Sequence, residues 1–147
     1  MLYEVVKMAD RLIRVGRVSR IDYTNGMISV TYPDLDDCTT SLLSVVSFND
    51  EYKMPEIGDD VLVLHLPSGQ ARGLVLGKYW NKKNPPASSG QGVYRKEFAS
   101  VPGEAYMKYN PETEELLIKA PKIRFLTDDA DISVDELAGT PAENEEF

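Results

Sequence analysis

The chain contains 147 residues, of which 42% are apolar and 27% are charged, and its formal net charge is −8. This length suits one ordinary domain or a small domain with an appendage, and the apolar fraction is too high for a wholly disordered chain. No apolar run approaches the roughly 18 residues of a membrane-spanning helix, and the first residues lack the apolar centre and cleavage site of a secretory signal. The single cysteine and the single histidine exclude an internal disulfide and the usual kinds of zinc site.

The N-terminal half of the sequence is typical of β structure. Residues 1–11 form a separate segment that permits a short helix, because Val5, Met8 and Leu12 have helical spacing. The region from residue 12 to 82 then contains five stretches of alternating apolar and polar residues, separated by turn-forming residues. Five short strands without a strong helix between them predict a small barrel or a compact sandwich. The predicted strands span residues 12–22, 27–32, 41–48, 61–66 and 73–79.

Two glycine positions indicate how the first two strands are arranged. An Asn-Gly pair at positions 25 and 26 lies between them, and both residue types tolerate the positive φ of a tight hairpin. In the first strand Ile13 and Val15 are in phase with each other, whereas Val18 is out of phase with them. Because Gly16 lies at this slip, we expect a β-bulge or a sharp bend there.

The predicted strand 61–66 is apolar on both faces, which a small barrel with a water-exposed outside does not require. We therefore expect a partner or another subunit to cover its outer face. Trp80 follows the last predicted barrel strand, where it would pack over a barrel end or a subunit seam. The candidate contact residues of the barrel are Leu62, Leu64, Leu66 and Trp80.

The C-terminal half has few large apolar residues for an independent core. Residues 83–92 are rich in Pro, Ser and Gly and form a predicted linker. Residues 93–127 contain three predicted strands, and a sheet of that size is marginal by itself. Three copies wrapped around a common axis would pool their side chains into one narrow core, so we predict oligomerisation. The strands span residues 105–109, 116–120 and 122–126, and the predicted core residues are Leu116, Ile118, Ala120, Ile123 and Phe125.

The negative charge of the chain is concentrated at its C-terminal end. Residues 128–147 contain eight acidic residues and no basic ones, so we expect a partly disordered acidic tail. Residues 1–127 contain sixteen residues of each sign and are neutral. The net acidity therefore does not by itself exclude nucleic acid from the folded part of the chain.

No set of residues in the sequence has the pattern of a catalytic or metal site. His65 lies in an apolar strand and is expected to be structural, because a metal needs several convergent ligands. Cys38 lies in a polar segment without an accompanying base that would activate it. The acids at 34, 36 and 37 lack the glycine and the terminal glutamate of an EF-hand loop, and the adjacent acids at 59–60 and 114–115 do not form a dyad across a cleft. We therefore expect no enzymatic activity, no cofactor and no metal.

Several longer motifs occur in a defined order. They are IRVGRVSRIDYTNGMISVTYPD, then MPEIGDDVLVLHLPSG, GLVLGKYWN and Asn84-Pro85-Pro86, followed by YMKYNPETEELLIKAPKIRF. The earlier motifs resemble the N-terminal OB-fold of phage baseplate assembly protein V, the central spike of contractile tails, which is related to the type VI secretion spike protein. The last motif is similar to the repeating strand pairs of the triple-stranded β-helix that follows in such spikes. The resemblance covers roughly residues 12–127.

The resemblance implies an all-β homotrimer, with a five-stranded OB-fold barrel at residues 12–82 and a short intertwined β-helix or β-prism needle at 93–127. Three barrels would form a collar that docks beneath a baseplate hub protein, and the needle would pierce the target cell envelope when the sheath contracts. The spike would assemble in the bacterial cytoplasm and belong to a virion or tail-like particle.

Two features of known spikes are missing from the sequence. The single histidine, His65, leaves no iron-binding His-x-His pair of the kind found at the tip of some members. The short linker leaves no room for the lysozyme domain of others. We therefore expect a blunt needle that carries a separate small tip protein near the acidic tail.

Two other functions stay open at this point. A single-stranded nucleic-acid-binding OB domain displays basic and aromatic residues on one face. Arg14, Arg17 and Arg20 supply part of a basic stripe, but no aromatic residues accompany them. A cell-wall hydrolase that travels with a tail would need a set of residues with a mechanism, which the sequence lacks. The spike interpretation predicts no nucleic-acid partner.

Overall fold

The computed structural model describes residues 1–2, 12–67 and 72–137, and the regular secondary structure of these residues is strands, with almost no helix. The chain divides into two compact units, Met1–Pro85 and Pro86–Phe147, and the division falls inside the predicted linker 83–92. The short helix predicted within residues 1–11 lies outside the described residues, apart from the first two. No helix among the described residues is long and apolar enough to cross a membrane.

The first unit is a closed five-stranded barrel with one additional short strand. Its ladders join β1 to β2, β2 to β4, β4 to β6, β6 to β5 and β5 back to β1, and only the β4–β6 pair is parallel. The short β3 pairs with β2 outside this circuit. The predicted small barrel is confirmed, and its topology is consistent with an OB-fold. The strands are β1 (Ile13–Asp22), β2 (Met27–Tyr32), β3 (Cys38–Thr39), β4 (Leu43–Val45), β5 (Asp60–His65) and β6 (Gly73–Lys78).

The interior of the barrel is filled by aliphatic side chains and one tyrosine. Residues that alternate along each strand point to opposite faces, so one face of every strand supplies the core. The predicted strand 41–48 is wrong in its length, because only Leu43–Val45 are paired. The buried core consists of Val18, Ile28, Val30, Tyr32, Leu43, Val61, Val63 and Val75.

The first strand differs from its prediction at Gly16. The irregularity in the β1–β2 ladder lies between Val18 and Arg20, not at Gly16. Gly16 is instead a point of close approach, because a Cβ atom there would lie 2.3 Å from a methyl carbon of Val30 and 2.7 Å from the ring of Tyr32. Gly16 and Val18 both face the core, so the two apolar residues before Gly16 face outwards.

The predicted hairpin between β1 and β2 is confirmed, although its turn is longer than an Asn-Gly pair. The two strands are antiparallel and are joined by residues 23–26, of which Gly26 alone has a positive φ. The Asp22 carboxylate accepts hydrogen bonds from the backbone N–H of Asn25 at 3.2 Å and from its side-chain amide at 2.9 Å. These bonds lower the pKa of Asp22.

The second unit contains a three-stranded and a two-stranded antiparallel sheet. The first has the order β7–β8–β9 and the second pairs β10 with β11. Strands β8, β9 and β10 correspond to the three predicted strands, whereas β7 and β11 were not predicted. The first part of the predicted acidic tail, which begins at residue 128, forms β11 and a 3₁₀ turn at Val134–Glu136. The strands are β7 (Tyr94–Glu97), β8 (Tyr106–Asn110), β9 (Glu115–Lys119), β10 (Arg124–Leu126) and β11 (Asp131–Ser133).

Candidate interaction surfaces

The outer face of the barrel carries a continuous group of aliphatic side chains. The alternate residues of β5 are fully buried, so Leu62 and Leu64 face outwards. The ladders place Leu64 between Ile13 of β1 and Leu74 of β6, and place Leu62 beside Val15. Residues directly opposite each other on paired strands share a face. We call this surface the barrel patch, and it consists of Ile13, Val15, Leu62, Leu64, Leu74 and Leu76.

The barrel patch is exposed to an extent that indicates a binding surface. Ile13 is 55% exposed and Val15 is 47% exposed, although each lies directly beside a leucine of β5. Isolated exposed apolar residues are common, whereas contiguous ones mark sites of interaction. The sequence already indicated Leu62 and Leu64, because the predicted strand 61–66 is apolar on both faces. The contributions of β1 and β6 were missed, because only the ladder register brings them beside β5.

The two other predicted barrel contacts lie at strand ends. Leu66 follows β5, and its backbone N–H donates to the Arg72 carbonyl at 3.0 Å. Trp80 follows β6 and is 67% exposed. A largely exposed tryptophan is a favourable anchor for a partner, because burying its ring removes a large apolar area from water. The contact role of Leu62, Leu64, Leu66 and Trp80 stays a prediction.

The three-stranded sheet of the second unit also has one face that is apolar except for Lys96, which lies opposite Met107. Tyr109 lies opposite Tyr94 on one side and Leu116 on the other, and Met107 lies opposite Ile118. Leu116 is 60% exposed and Ile118 is 51% exposed. We call this surface the sheet patch, and it consists of Tyr94, Met107, Tyr109, Leu116 and Ile118.

The other three predicted needle residues lie further along the chain. Ala120 and Ile123 are in the connection between β9 and β10, and the Ile123 carbonyl accepts a hydrogen bond from the Val134 N–H at 2.9 Å. Phe125 lies opposite Ile132 in the β10–β11 hairpin and is exposed. The structure therefore brings Leu116 and Ile118 together and places Phe125 on a different sheet. A common core for all five residues stays a prediction.

The opposite face of the three-stranded sheet is packed around Tyr106, which is 3% exposed. The Arg95 guanidinium lies 3.8 Å from the centre of the Tyr106 ring. Arg95 also donates hydrogen bonds to the Glu97 carboxylate and, at 3.0 Å, to the Ser88 hydroxyl. The second Glu97 oxygen accepts the Gly103 backbone N–H at 2.9 Å. The charged stack thus shares the Tyr106 face with Leu117, while Leu116 and Ile118 lie on the exposed face.

The polar residues at one end of the barrel form a connected cluster. The Tyr32 hydroxyl lies 2.5 Å from His65 Nε2, and the two rings pack edge to face. The Arg14 guanidinium lies 5.6 Å from the centre of the Tyr32 ring and 3.2 Å from the Asp34 carboxylate. His65 is thus hydrogen-bonded within the fold, as the structural interpretation expects.

Burial shifts the pKa values of both aromatic members of this cluster. It raises the pKa of Tyr32 to about 12, partly offset by the charge of Arg14. It also lowers the pKa of His65, and Arg14 lowers it further, while a hydrogen bond with the Arg72 backbone acts in the opposite direction. Both side chains are therefore held in their neutral forms around neutral pH.

The other residues that were considered for a catalytic or metal site either form ion pairs or lie away from this cluster. Asp59 lies 3.4 Å from Lys78, and Asp60 lies 3.0 Å from Lys83 and 3.9 Å from Arg17. The exposed Cys38 lies in the two-residue strand β3. Within the described parts of the chain, no three His, Cys, Asp or Glu side chains are grouped so that they could hold a metal ion.

The same ion pairs bear on the basic stripe that sequence analysis considered for nucleic acid. Arg14 is paired with Asp34, and Arg17 lies near Asp60. A stripe that binds a phosphate backbone needs cations whose charge is not already balanced by neighbouring acids. The local charge of this surface is therefore close to neutral at two of its three arginines.

Comparison of the sequence with models of known protein families and with curated proteins gives no match in either case. What defines this chain is therefore its own structure: an all-β barrel unit and a small second β unit, each with an exposed apolar face.

Proposed function

We propose that the chain is the structural central spike of a contractile tail baseplate and forms a homotrimer. In this proposal the first unit is an OB-fold collar, and the second unit intertwines with two further copies as a short β-helix or β-prism needle. The chain has no catalytic role and no cofactor. Its place is a virion or tail-like particle, and it acts when sheath contraction drives it through the target cell envelope.

The observation that carries this proposal is the sheet patch. Its side chains are the aliphatic and aromatic residues that would normally form the core of a small sheet, yet they lie on the exposed side. Because so small a unit buries little apolar surface by itself, further copies of the same chain are the partners that would complete its core as it folds. An obligate assembly of this kind has interfaces that resemble a domain core divided between subunits.

The barrel patch supports the second half of the proposal. In a collar, the exposed aliphatic face and Trp80 would contact a neighbouring copy or the hub protein at the end of the tail tube. The ion pairs of Arg14 and Arg17 disfavour the alternative, a single-stranded nucleic-acid-binding barrel.

Co-purification with the products of neighbouring genes tests the proposed function. We expect the tagged full chain to retain a ring-forming hub protein and a small tip protein, in a ratio of three chains to one tip. A chain that purifies alone as a monomer and binds single-stranded oligonucleotides would contradict the proposal and support the nucleic-acid alternative.

A further inference from the structure

Strand β1 pairs with two different neighbours over its two halves. Residues 13–17 pair with β5, whereas Arg17 to Asp22 pair with β2. From Ile13 to Gly16, the edge of β1 that is turned away from β5 therefore has no partner strand among the residues that the structure describes. A strand edge of this kind offers backbone N–H and C=O groups to another chain.

The direction of the backbone groups on this edge follows from hydrogen bonds nearby. The Val18 N–H donates to the Asp59 carbonyl at 2.9 Å, and the Val18 carbonyl accepts the Gly58 N–H at 2.8 Å, so the backbone groups of Val18 point towards β5. Directions alternate along a strand, so Arg14 and Gly16 point the same way as Val18. Ile13 and Val15 have the opposite direction. Their N–H and C=O groups therefore point away from β5, at the free edge.

The sequence of β2 explains why this edge stays free. Arg17 pairs with Thr31, so a continued β2 would place residue 33 opposite Val15. Residue 33 is Pro33, which has no N–H to donate, and it begins a 3₁₀ turn that leads the chain away from the ladder.

A groove of about 650 Å³ runs beside this edge. Its charged residues neutralise one another, since Arg14 lies 3.2 Å from Asp34 and Arg17 lies 3.9 Å from Asp60. The rest of its wall includes the first residues of the barrel patch. The residues that matter for binding are Ile13, Val15, Pro33, Leu35 and Tyr79.

We propose that the free edge of β1 binds an extended, uncharged segment of a different protein as an added strand. The segment would exchange backbone hydrogen bonds with Ile13 and Val15, and its residues opposite these two would lie on the outer face of the barrel. There they would extend the rows of the barrel patch, in which Ile13 neighbours Leu64 and Val15 neighbours Leu62. The segment therefore carries aliphatic side chains at two alternate positions, with a small or polar residue between them.

A second copy of the chain fits this edge poorly. An antiparallel pair of β1 strands that satisfied both Ile13 and Val15 would place Arg14 directly opposite Arg14 of the other copy. Like charges directly opposite each other destabilise a strand pair. The added strand stands independently of the spike function, because it depends only on the geometry of the first unit.

Amide hydrogen exchange of the full chain tests the free edge directly. We expect the Arg14 and Gly16 amides to be protected by their bonds to β5 and the Ile13 and Val15 amides to exchange rapidly. Protected Ile13 and Val15 amides in dilute protein would overturn the proposal. Protection that increases with protein concentration would overturn it too, because the occupant would then be a second copy.

The second measurement adds a probe strand, an acetylated Gly-Val-Thr-Val-Thr-Gly peptide. We expect exchange at Ile13 and Val15 to become about tenfold slower when the peptide is present at ten times its dissociation constant. The same peptide with both valine nitrogens methylated should have no effect, because it lacks the required donors. Unchanged exchange at the highest soluble peptide concentration would overturn the proposal.

Two proline variants separate binding from folding. Val15→Pro removes an N–H that makes no bond to β5, so the barrel should keep its protected amides in β5 and β6 while the peptide effect is lost. Arg14→Pro removes an N–H that bonds to β5, and it should reduce protection throughout the barrel. A Val15→Pro variant that still responds to the peptide, or that unfolds as Arg14→Pro does, would contradict the assigned backbone directions.

Discussion

At the scale of single residues, Gly16 shows how the barrel limits side-chain size at a crossing point. Its Cβ position is occupied by the side chains of Val30 and Tyr32, which are both buried in the core. Its φ is not in the left-handed region, so what requires glycine here is space rather than backbone conformation. The sequence indicated that Gly16 is special, but it could not distinguish a bulge from a close approach, because the contacting residues are on another strand.

We predict that Gly16→Ala destabilises the barrel by about 1–3 kcal/mol, since the added methyl group must displace Val30 or the Tyr32 ring. Chemical denaturation, monitored through the exchange protection of the β2 amides, measures the change in the free energy of unfolding. Gly26→Asn is the matched control, because Gly26 has a φ of 63° with no atom near its Cβ position, and asparagine tolerates that conformation. Equal stability of the two variants would contradict the proposed crowding at Gly16.

His65 gives a second prediction at this scale, concerning pH. Its folded-state pKa is lowered from 6.5, so the unfolded state binds a proton first as the pH falls. The contribution of neutral His65 to the free energy of unfolding is therefore complete above pH 6.5. It is lost as the pH falls from there towards the folded-state pKa. We expect His65→Gln to lose less stability than the unmodified chain between about pH 7.5 and about pH 5. An equal or larger loss in the variant would show that His65 does not contribute in this way.

At the scale of secondary-structure elements, the pattern of apolar residues was sufficient to place the longer strands of the barrel but not to fix the length of β4. It predicted β2 with its observed ends and the other long strands to within about a residue. Alternation did not predict β7, because this strand carries the charged stack of Arg95 and Glu97 in place of aliphatic residues. It also missed β11, in which acidic residues suggested a tail, although Arg124 of β10 forms an ion pair with Asp131.

The charged stack of the second unit yields a prediction for the β7–β8 pair. Arg95→Met should destabilise this unit by about 3–5 kcal/mol, because it leaves the Glu97 carboxylate without its buried cation. Amide hydrogen exchange measures the effect, and we expect protection to be lost in β8 while the protection of β5 stays unchanged. Arg124→Met is the matched control, and removing its exposed ion pair should cost about 1 kcal/mol or less. Comparable effects of the two changes would mean that the stack does not hold this sheet together.

At the scale of the whole molecule, the two exposed apolar faces are the structural basis of the proposed self-association of the chain. The residues up to 127 are neutral in total, so no large net charge opposes assembly of the folded part. The sequence predicted Leu116 and Ile118 as interface residues from their alternation. It could not predict that Tyr94, Met107 and Tyr109 share their face, because that depends on the register of three strands.

We predict that Ile118→Asp abolishes trimer assembly, because each subunit would place an unpaired charge in the shared core. The matched control is Ile57→Asp, since Ile57 is 66% exposed and lies outside both patches. Sedimentation of the two variants compares their assembly. A trimer that tolerates Ile118→Asp as well as it tolerates Ile57→Asp would place the assembly interface elsewhere.

The most direct test of the account is the mass of the unmodified full chain in solution over a wide dilution series. The spike proposal predicts a single species with three times the mass of one chain, which persists at nanomolar concentration and in mild detergent. A monomer at all concentrations, with the sheet patch still accessible to solvent, would contradict the proposal.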